Sequence, residues 1–167
     1  MKQCSEQANL STAYLRELLK GHYKILYTNK KGYNAHEFLI DCSEIEDQTG
    51  ITCVDIAKRV IDYGFHAPNL NYPQSFMVET TESENLDEIQ KLADCLINIR
   101  KEIQKVENGT WSKNDNPLVN APHTQDEIIQ ENWDHCYTKK EACFPLSWVK
   151  YRKIWPSISR VDLDFEF

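Results

Sequence analysis

No stretch of this 167-residue chain holds the roughly 20 successive apolar residues that a bilayer-crossing helix needs, which argues against an integral-membrane helix. Net positive charge is lacking too. Acidic side chains number 26 against 19 basic ones, and the formal charge of −7 is a poor match for the phosphates of nucleic acid or for anionic lipid. The short basic run at Lys150, Arg152 and Lys153 is followed closely by Asp162, Asp164 and Glu166. Glycine is scarce, five in all and never clustered, so there is no glycine-rich phosphate loop; G-x-S-x-G and H-E-x-x-H are also missing. The six cysteines (Cys4, Cys42, Cys53, Cys95, Cys136, Cys143) include no C-x-x-C pair, and the chain is too large and helical for a disulfide scaffold. Free, mostly structural thiols in a reducing compartment are expected. Residues 1–10 lack the charged-then-apolar pattern of a signal peptide.

What remains is an ordinary globular composition, 41% hydrophobic and 27% charged, sized for about one domain. Leu15, Leu18 and Leu19 at helical spacing predict a helix from about residue 10 to 19, capped at Asn9 or Ser11 and ended by Gly21. Two strands follow, about 22–27 and 36–42, and the polar link Asn29-Lys30-Lys31-Gly32 predicts an antiparallel hairpin. In the second strand Phe38 and Ile40 share a face with His36, while Glu37, Leu39 and Asp41 point the other way. Thr52 with Asp55 reads as a capping box before a helix with the stripe Val54, Ala57, Val60 and Ile61, closed by Gly64. After a third strand at about 75–80, Asn85 and Glu88 start a long helix whose apolar positions run from Leu86 to Val106. Beyond Gly109 the texture is polar and proline-broken, with short helices at about 125–131 and 139–143 and a final strand near 159–162. The fold class expected is α+β, a small mainly antiparallel sheet with helices on one face. Residues 1–9 form an N-terminal extension, 10–109 the α+β core, and 110–167 an irregular, short-helix part of the same domain.

Few residues announce chemistry. His135, Cys136 and Cys143 lack a fourth metal ligand at suitable spacing. Cys136 or Cys143 acting as a nucleophile would need a paired base, and none is evident. His36 and Glu37 lie in an apolar strand, His66 sits just past a helix cap, and Glu79 ends the third strand. Each is either a packing or capping group or a site residue.

A collinear series of blocks resembles one family. Val54-Asp55-Ile56-Ala57-Lys58-Arg59, continued through Asp62-Tyr63-Gly64-Phe65-His66-Ala67-Pro68, is similar to the C-terminal domain of glycine dehydrogenase (decarboxylating), the P-protein of the glycine cleavage system. Ala35 to Asp41, Met77-Val78-Glu79, Thr81 to Glu84, Asn116-Pro117-Leu118, Ala121 to Thr124, Trp133, Tyr137, Ala142 to Pro145, Trp155-Pro156 and Arg160 to Asp162 follow in the family's order. The resemblance implies the small C-terminal domain of a fold type I, aminotransferase-like enzyme dependent on pyridoxal 5'-phosphate (PLP). It implies a large PLP-binding domain as partner, glycine as substrate, and aminomethyl transfer to the lipoyl H-protein. The setting implied is mitochondrial in eukaryotes and cytoplasmic otherwise. His36, Glu37, His66 and Glu79 fall in the matching blocks, which assigns them positioning roles or contacts one layer behind the reacting groups.

Three departures stand beside it. The lysine that binds PLP belongs to an upstream part of the family, so no residue here is expected to bind the cofactor and the chain alone is expected to be inactive. Only Gln74-Ser75-Phe76 lie between Pro73 and Met77, about two residues fewer than the family has, and Thr80 stands where the family prefers proline. The family's Cys-containing tail has no counterpart before Phe167. Two readings follow: the C-terminal part of such an enzyme, completing its active-site wall, or a degenerate, non-catalytic paralogue that serves as a binding or regulatory module. In either case a severed small domain is expected to expose an apolar patch.

Overall fold

A computed structural model describes residues 2–160. In chain order the elements are α1 (Lys2–Leu19), β1 (Lys24–Leu26), β2 (Glu37–Asp41), α2 (Ser43–Thr49), α3 (Cys53–Asp62), β3 (Asn69–Tyr72), β4 (Ser75–Glu79), α4 (Leu86–Glu107), α5 (Gln125–Ile129), α6 (Lys139–Cys143) and a 3-10 turn at Val149–Tyr151. The four strands form one antiparallel sheet in the order β1-β2-β4-β3. Phe38 faces Val78 and Ile40 faces Phe76 across the β2–β4 pair. These four are buried, and α1, α3 and α4 close over them with Leu15, Leu19, Ile56, Val60, Leu96 and Ile99. That is the expected α+β arrangement.

Local chemistry sets most of the boundaries. Thr52 and Asp55 form the capping box of α3: the Thr52 hydroxyl accepts from Asp55 N, and the Asp55 carboxylate accepts from Thr52 N at 2.8 Å. Asn85 caps α4 by accepting from Glu88 N at 2.9 Å, and after 22 helical residues Asn108 and Gly109 end it. Between β1 and β2 the Asn29 side chain accepts from both Lys31 N and Tyr33 N, fixing the expected turn.

Several expectations change. Helix α1 begins at Lys2, so Asn9 and Ser11 lie inside it; its buried side, Ser11, Thr12, Leu15 and Leu19, shows no apolar stripe before residue 15 from which to extend the helix backwards. The first strand shrinks to Lys24–Leu26 because Tyr27 turns to φ 55. On α3 it is Ile56 that fills the core, while Val54 is exposed; on α4 Leu86 is exposed as well. Strand β3 and helix α2 have no apolar alternation or stripe of their own. Strand β3 exists because β4 pairs with it. Of the final strand expected near 159–162, Ser159 and Arg160 are irregular and the rest lies outside the described residues.

Strands β3 and β4 are joined by only Pro73 and Gln74, which is how the short link is accommodated. Pro73 supplies the fixed φ of a turn's first corner, and Gln74 takes φ 48 at the second, where type II geometry asks for glycine. Its carbonyl accepts from Cys42 N at 2.8 Å and locks the turn against the end of β2.

The C-terminal third is held by a buried polar knot. The Arg59 side chain is fully buried, and each of its five N–H groups has an acceptor. Nε and Nη2 donate to the two Glu102 oxygens at 2.9 and 2.8 Å; Nη1 donates to Asp62 Oδ2 at 3.0 Å and Ala142 O at 2.6 Å; Nη2 also reaches Glu141 O at 2.6 Å. Tyr63 donates to Glu102 and accepts from Asn98. Asp62 receives His123 N at 2.9 Å and faces His123 Nδ1 at 2.8 Å, so that nitrogen carries the proton. His123 Nε2 lies 2.9 Å from the Tyr137 hydroxyl, and Lys153 donates to Asp62 O at 2.9 Å. One cluster thus ties α3, α4, α6 and the irregular segments on either side of α5.

Burial by itself would raise the Asp62 carboxyl, but the His123 hydrogen bond and the charges of Arg59 and Lys153 outweigh it and hold it below the usual carboxylate range. A carboxylate depressed in the folded state stabilises the fold above its unfolded pKa, near ~3.9, and ceases to as pH falls through its folded value.

Three outcomes are expected. Gln74→Gly relieves a left-handed backbone and raises stability by up to about 1 kcal/mol in urea unfolding, the gain limited by the greater freedom of glycine in the unfolded chain. Glu102→Leu strands the Arg59 charge and costs about 3–5 kcal/mol by the same measurement. The urea midpoint of the parent chain holds from neutral pH to about 4 and drops below it, and the drop is shallower in Asp62→Asn.

Candidate functional site

The antiparallel register brings the four sequence-selected residues toward one end of the sheet. Glu37 opens β2 and Glu79 closes β4, and the two stand directly opposite each other. Like charges in that relation destabilise a sheet, so this is a position where local stability is not what selected the side chains. His36 precedes Glu37, exposed, with Nε2 3.8 Å from the Glu37 carboxylate. His66 follows the cap of α3, and its Nδ1 lies 2.7 Å from Ala67 O. A carbonyl only accepts, so Nδ1 carries the proton there and Nε2 is left to face outward.

Two clefts meet at His66, Glu79 and Leu92. One, about 260 Å³, runs between Val60, Phe76 and Leu96; the other, about 310 Å³, runs past Phe65, Glu84, Glu88 and Arg152. Their floor is apolar and their rim acidic, and among the described residues Arg152, in the second cleft, is the one lysine or arginine lining them. His36 and Glu37 line neither cleft: the structure places them on the neighbouring strand rather than in the walls.

The strand ends are tied from beneath. Thr12 on α1 donates to His36 O at 2.6 Å, and its hydroxyl oxygen lies 2.8 Å from that of Thr80. Thr12 has one proton and spends it on His36, so Thr80 is the donor in the pair. A proline at position 80 has no hydroxyl and would remove this tie.

Chemically the arrangement offers one imidazole and several carboxylates, groups that hold and pass protons or receive an ammonium or hydroxyl. It offers no covalent anchor. A PLP ring needs a lysine amine for its aldehyde and clustered backbone N–H groups for its phosphate. Among the described residues no lysine lines either cleft, and Gly64, which lines the second, is packed against the Arg152 carbonyl. The residues present do not fit that cofactor.

Sequence reading missed Arg152 as a cleft residue, Thr12, and the Arg59 knot. For the knot one signal was available: Arg59 and Asp62 share the helical face of Ile56 and Tyr63, so two charges sit in the middle of the buried stripe of α3. His135, considered above with Cys136, lies between Asp115 Oδ1 at 2.7 Å and Glu127 Oε1 at 3.5 Å; Cys143 is buried beside the knot.

Comparison with known proteins bears on all of this. Residues 4–123 match the family model described as glycine dehydrogenase, C-terminal domain. Among curated proteins, the chain is similar to the glycine dehydrogenase (decarboxylating) of Teredinibacter turnerae, 45% identical over 164 residues. Those of Aliivibrio fischeri and Vibrio cholerae are 46% and 47% identical over the same length. Each alignment covers 97% of this chain and 17% of the relative, so the chain spans about a sixth of the length of the curated relatives it matches. With the family model matching well over half of its residues, the chain belongs to the glycine dehydrogenase C-terminal domain family.

Proposed function

We propose that this chain forms the C-terminal part of a PLP-dependent glycine dehydrogenase (decarboxylating) and closes one wall of its active site, the cofactor being held by residues outside it. The observation that carries the reading is the pairing of near-complete coverage by relatives of that name with a cleft that has proton-holding groups and no anchor. PLP would supply the electron sink for decarboxylation. The contribution of this chain is to shape, charge and dry the wall against which glycine and the lipoyl arm of the H-protein are handled.

Within that wall His66 and Glu79 are the positioning residues. Glu79 presents negative charge to the cleft, and His66 presents Nε2 with its other nitrogen fixed on Ala67 O. His36 and Glu37 set the neighbouring strand end and the local field. The large PLP-binding domain is the partner expected on the exposed apolar side chains around the β1–β2 hairpin and α1, among them Tyr27, Tyr33, Leu10 and Tyr14. The relatives named above are bacterial, which favours a cytoplasmic over a mitochondrial setting. The β3–β4 hairpin favours the enzyme part over the degenerate paralogue, since with the short link the two strands still pair, through a register shift between Asn69 and Tyr72, and line a cleft.

Complementation tests this. Mixed with PLP alone, the chain should develop no borohydride-reducible absorbance band. Co-expressed with the remaining segment of a bacterial relative, it should restore release of carbon dioxide from glycine. In that assembly Glu79→Gln or His66→Ala should lower turnover by about tenfold to a hundredfold, the range expected of displaced proton-handling groups. An assembly that forms but never turns over glycine would refute the enzyme reading.

A further inference from the structure

His66 follows a short turn after α3 whose backbone is tied to the helix, Gly64 N donating to Ile61 O at 2.8 Å and Phe65 N to Val60 O at 3.3 Å, while its own ring bonds the neighbouring Ala67 carbonyl. On its cleft side the turn is held by the segment after α6. Arg152 lays its guanidinium over the Phe65 ring, 4.4 Å from the centroid, with the Trp148 ring 5.7 Å away on the same cation. Phe65 and Trp148 meet edge to face at 6.0 Å. One Arg152 nitrogen ion-pairs with Glu88 on the first turn of α4, and the other lies 3.5 Å from Gly64 O. The backbone carbonyl of Arg152 is pressed so close to Gly64 that a Cβ there would sit 2.8 Å from it.

The geometry points to Arg152 as the positioning residue for His66, a clamp that fixes residues 64–66 from the cleft side by stacking on Phe65 while its charge is anchored on Glu88. This rests on the reading of His66 as a wall residue of the site, and it assigns a role to a side chain that neither the family match nor the relatives' names mention. A planar, delocalised cation is what the task requires. It stacks on an aromatic face and bonds a carboxylate in the same plane, which a lysine ammonium does not do. The anchor is reflected in Glu88: the hydrogen bond from Arg152, aided by Lys91, holds its carboxyl below the usual range against the opposing effect of partial burial. Because the Arg152 side chain is about a quarter exposed, 28%, its removal should loosen the turn without emptying the core.

The test is nuclear magnetic resonance of the 167-residue chain in parent, Arg152→Gln, Arg152→Lys and Phe65→Leu forms. The His66 ring and the Gly64 amide report the turn; Trp111 and Tyr23 in the core serve as controls. The clamp predicts that all three substitutions move the His66 ring and Gly64 signals while the controls stay put. It also predicts that Phe65→Leu adds little once Arg152→Gln is present. His66 signals unchanged in Arg152→Gln would overturn it. So would full restoration by Arg152→Lys, which would show that charge alone matters, and so would signals moving throughout the chain, which would make Arg152 a general packing group. The underlying site reading fails separately: a His66→Ala assembly with parental turnover would sink that reading and leave the clamp standing.

Discussion

The fold turns on one buried cation. A guanidinium without solvent is tolerated only when its charge is matched and all five N–H groups find acceptors in its plane, and Arg59 meets both conditions at once. Those acceptors come from α3 itself, from α4 and from the carbonyls at the end of α6. The irregular stretch from residue 109 onward has little regular structure of its own, so its position is dictated by what it must deliver to this charge and to the adjoining Asp62–His123 pair. Without the knot, the tail would be held to the sheet and its helices mainly by core side chains such as Trp111, Leu118 and Val149.

The same tail supplies Arg152 to one of the two clefts. Trp148 and Arg152 belong to the segment just after α6, and they reach back across α3 to the turn that carries His66. The buried knot and the exposed clamp are therefore successive parts of one strap, the first fixing where the segment lies and the second using that placement to hold a wall of the cleft. At the sheet end the logic is reversed. Glu37 and Glu79 repel across the ladder, and the strand ends are kept in place by the Thr12–Thr80 tie beneath them.

Much of the fold was legible because it is specified by neighbours in the chain. Thr52 with Asp55 and Asn85 with Glu88 are three residues apart, and their caps form from local geometry alone. The hairpin between β1 and β2 is written in Asn29 and Gly32 in the same way. Strand β3 was not legible, since Asn69 to Tyr72 have no alternation and become a strand only by pairing with β4. The start of α1 was missed because residues 2–9 are mostly polar and exposed and carry no apolar stripe. In the site, Glu79 and His66 could be picked out by their place at element ends, but that they share a cleft while His36 and Glu37 stand outside it needed the sheet order β1-β2-β4-β3.

The sequence by itself thus determined the caps, the turns, the α+β class and, through collinear blocks along nearly the whole chain, the family. These are short-range or pattern properties, and each survives without knowing where distant segments lie. Only the tertiary structure decided that Arg59 is buried and matched by Glu102, that Asp62 meets His123, and that Arg152 grips Phe65. Their sequence separations of 43, 61 and 87 residues explain why. No periodicity links such pairs; they meet because burying a charge forces the chain to bring acceptors to it from wherever they lie.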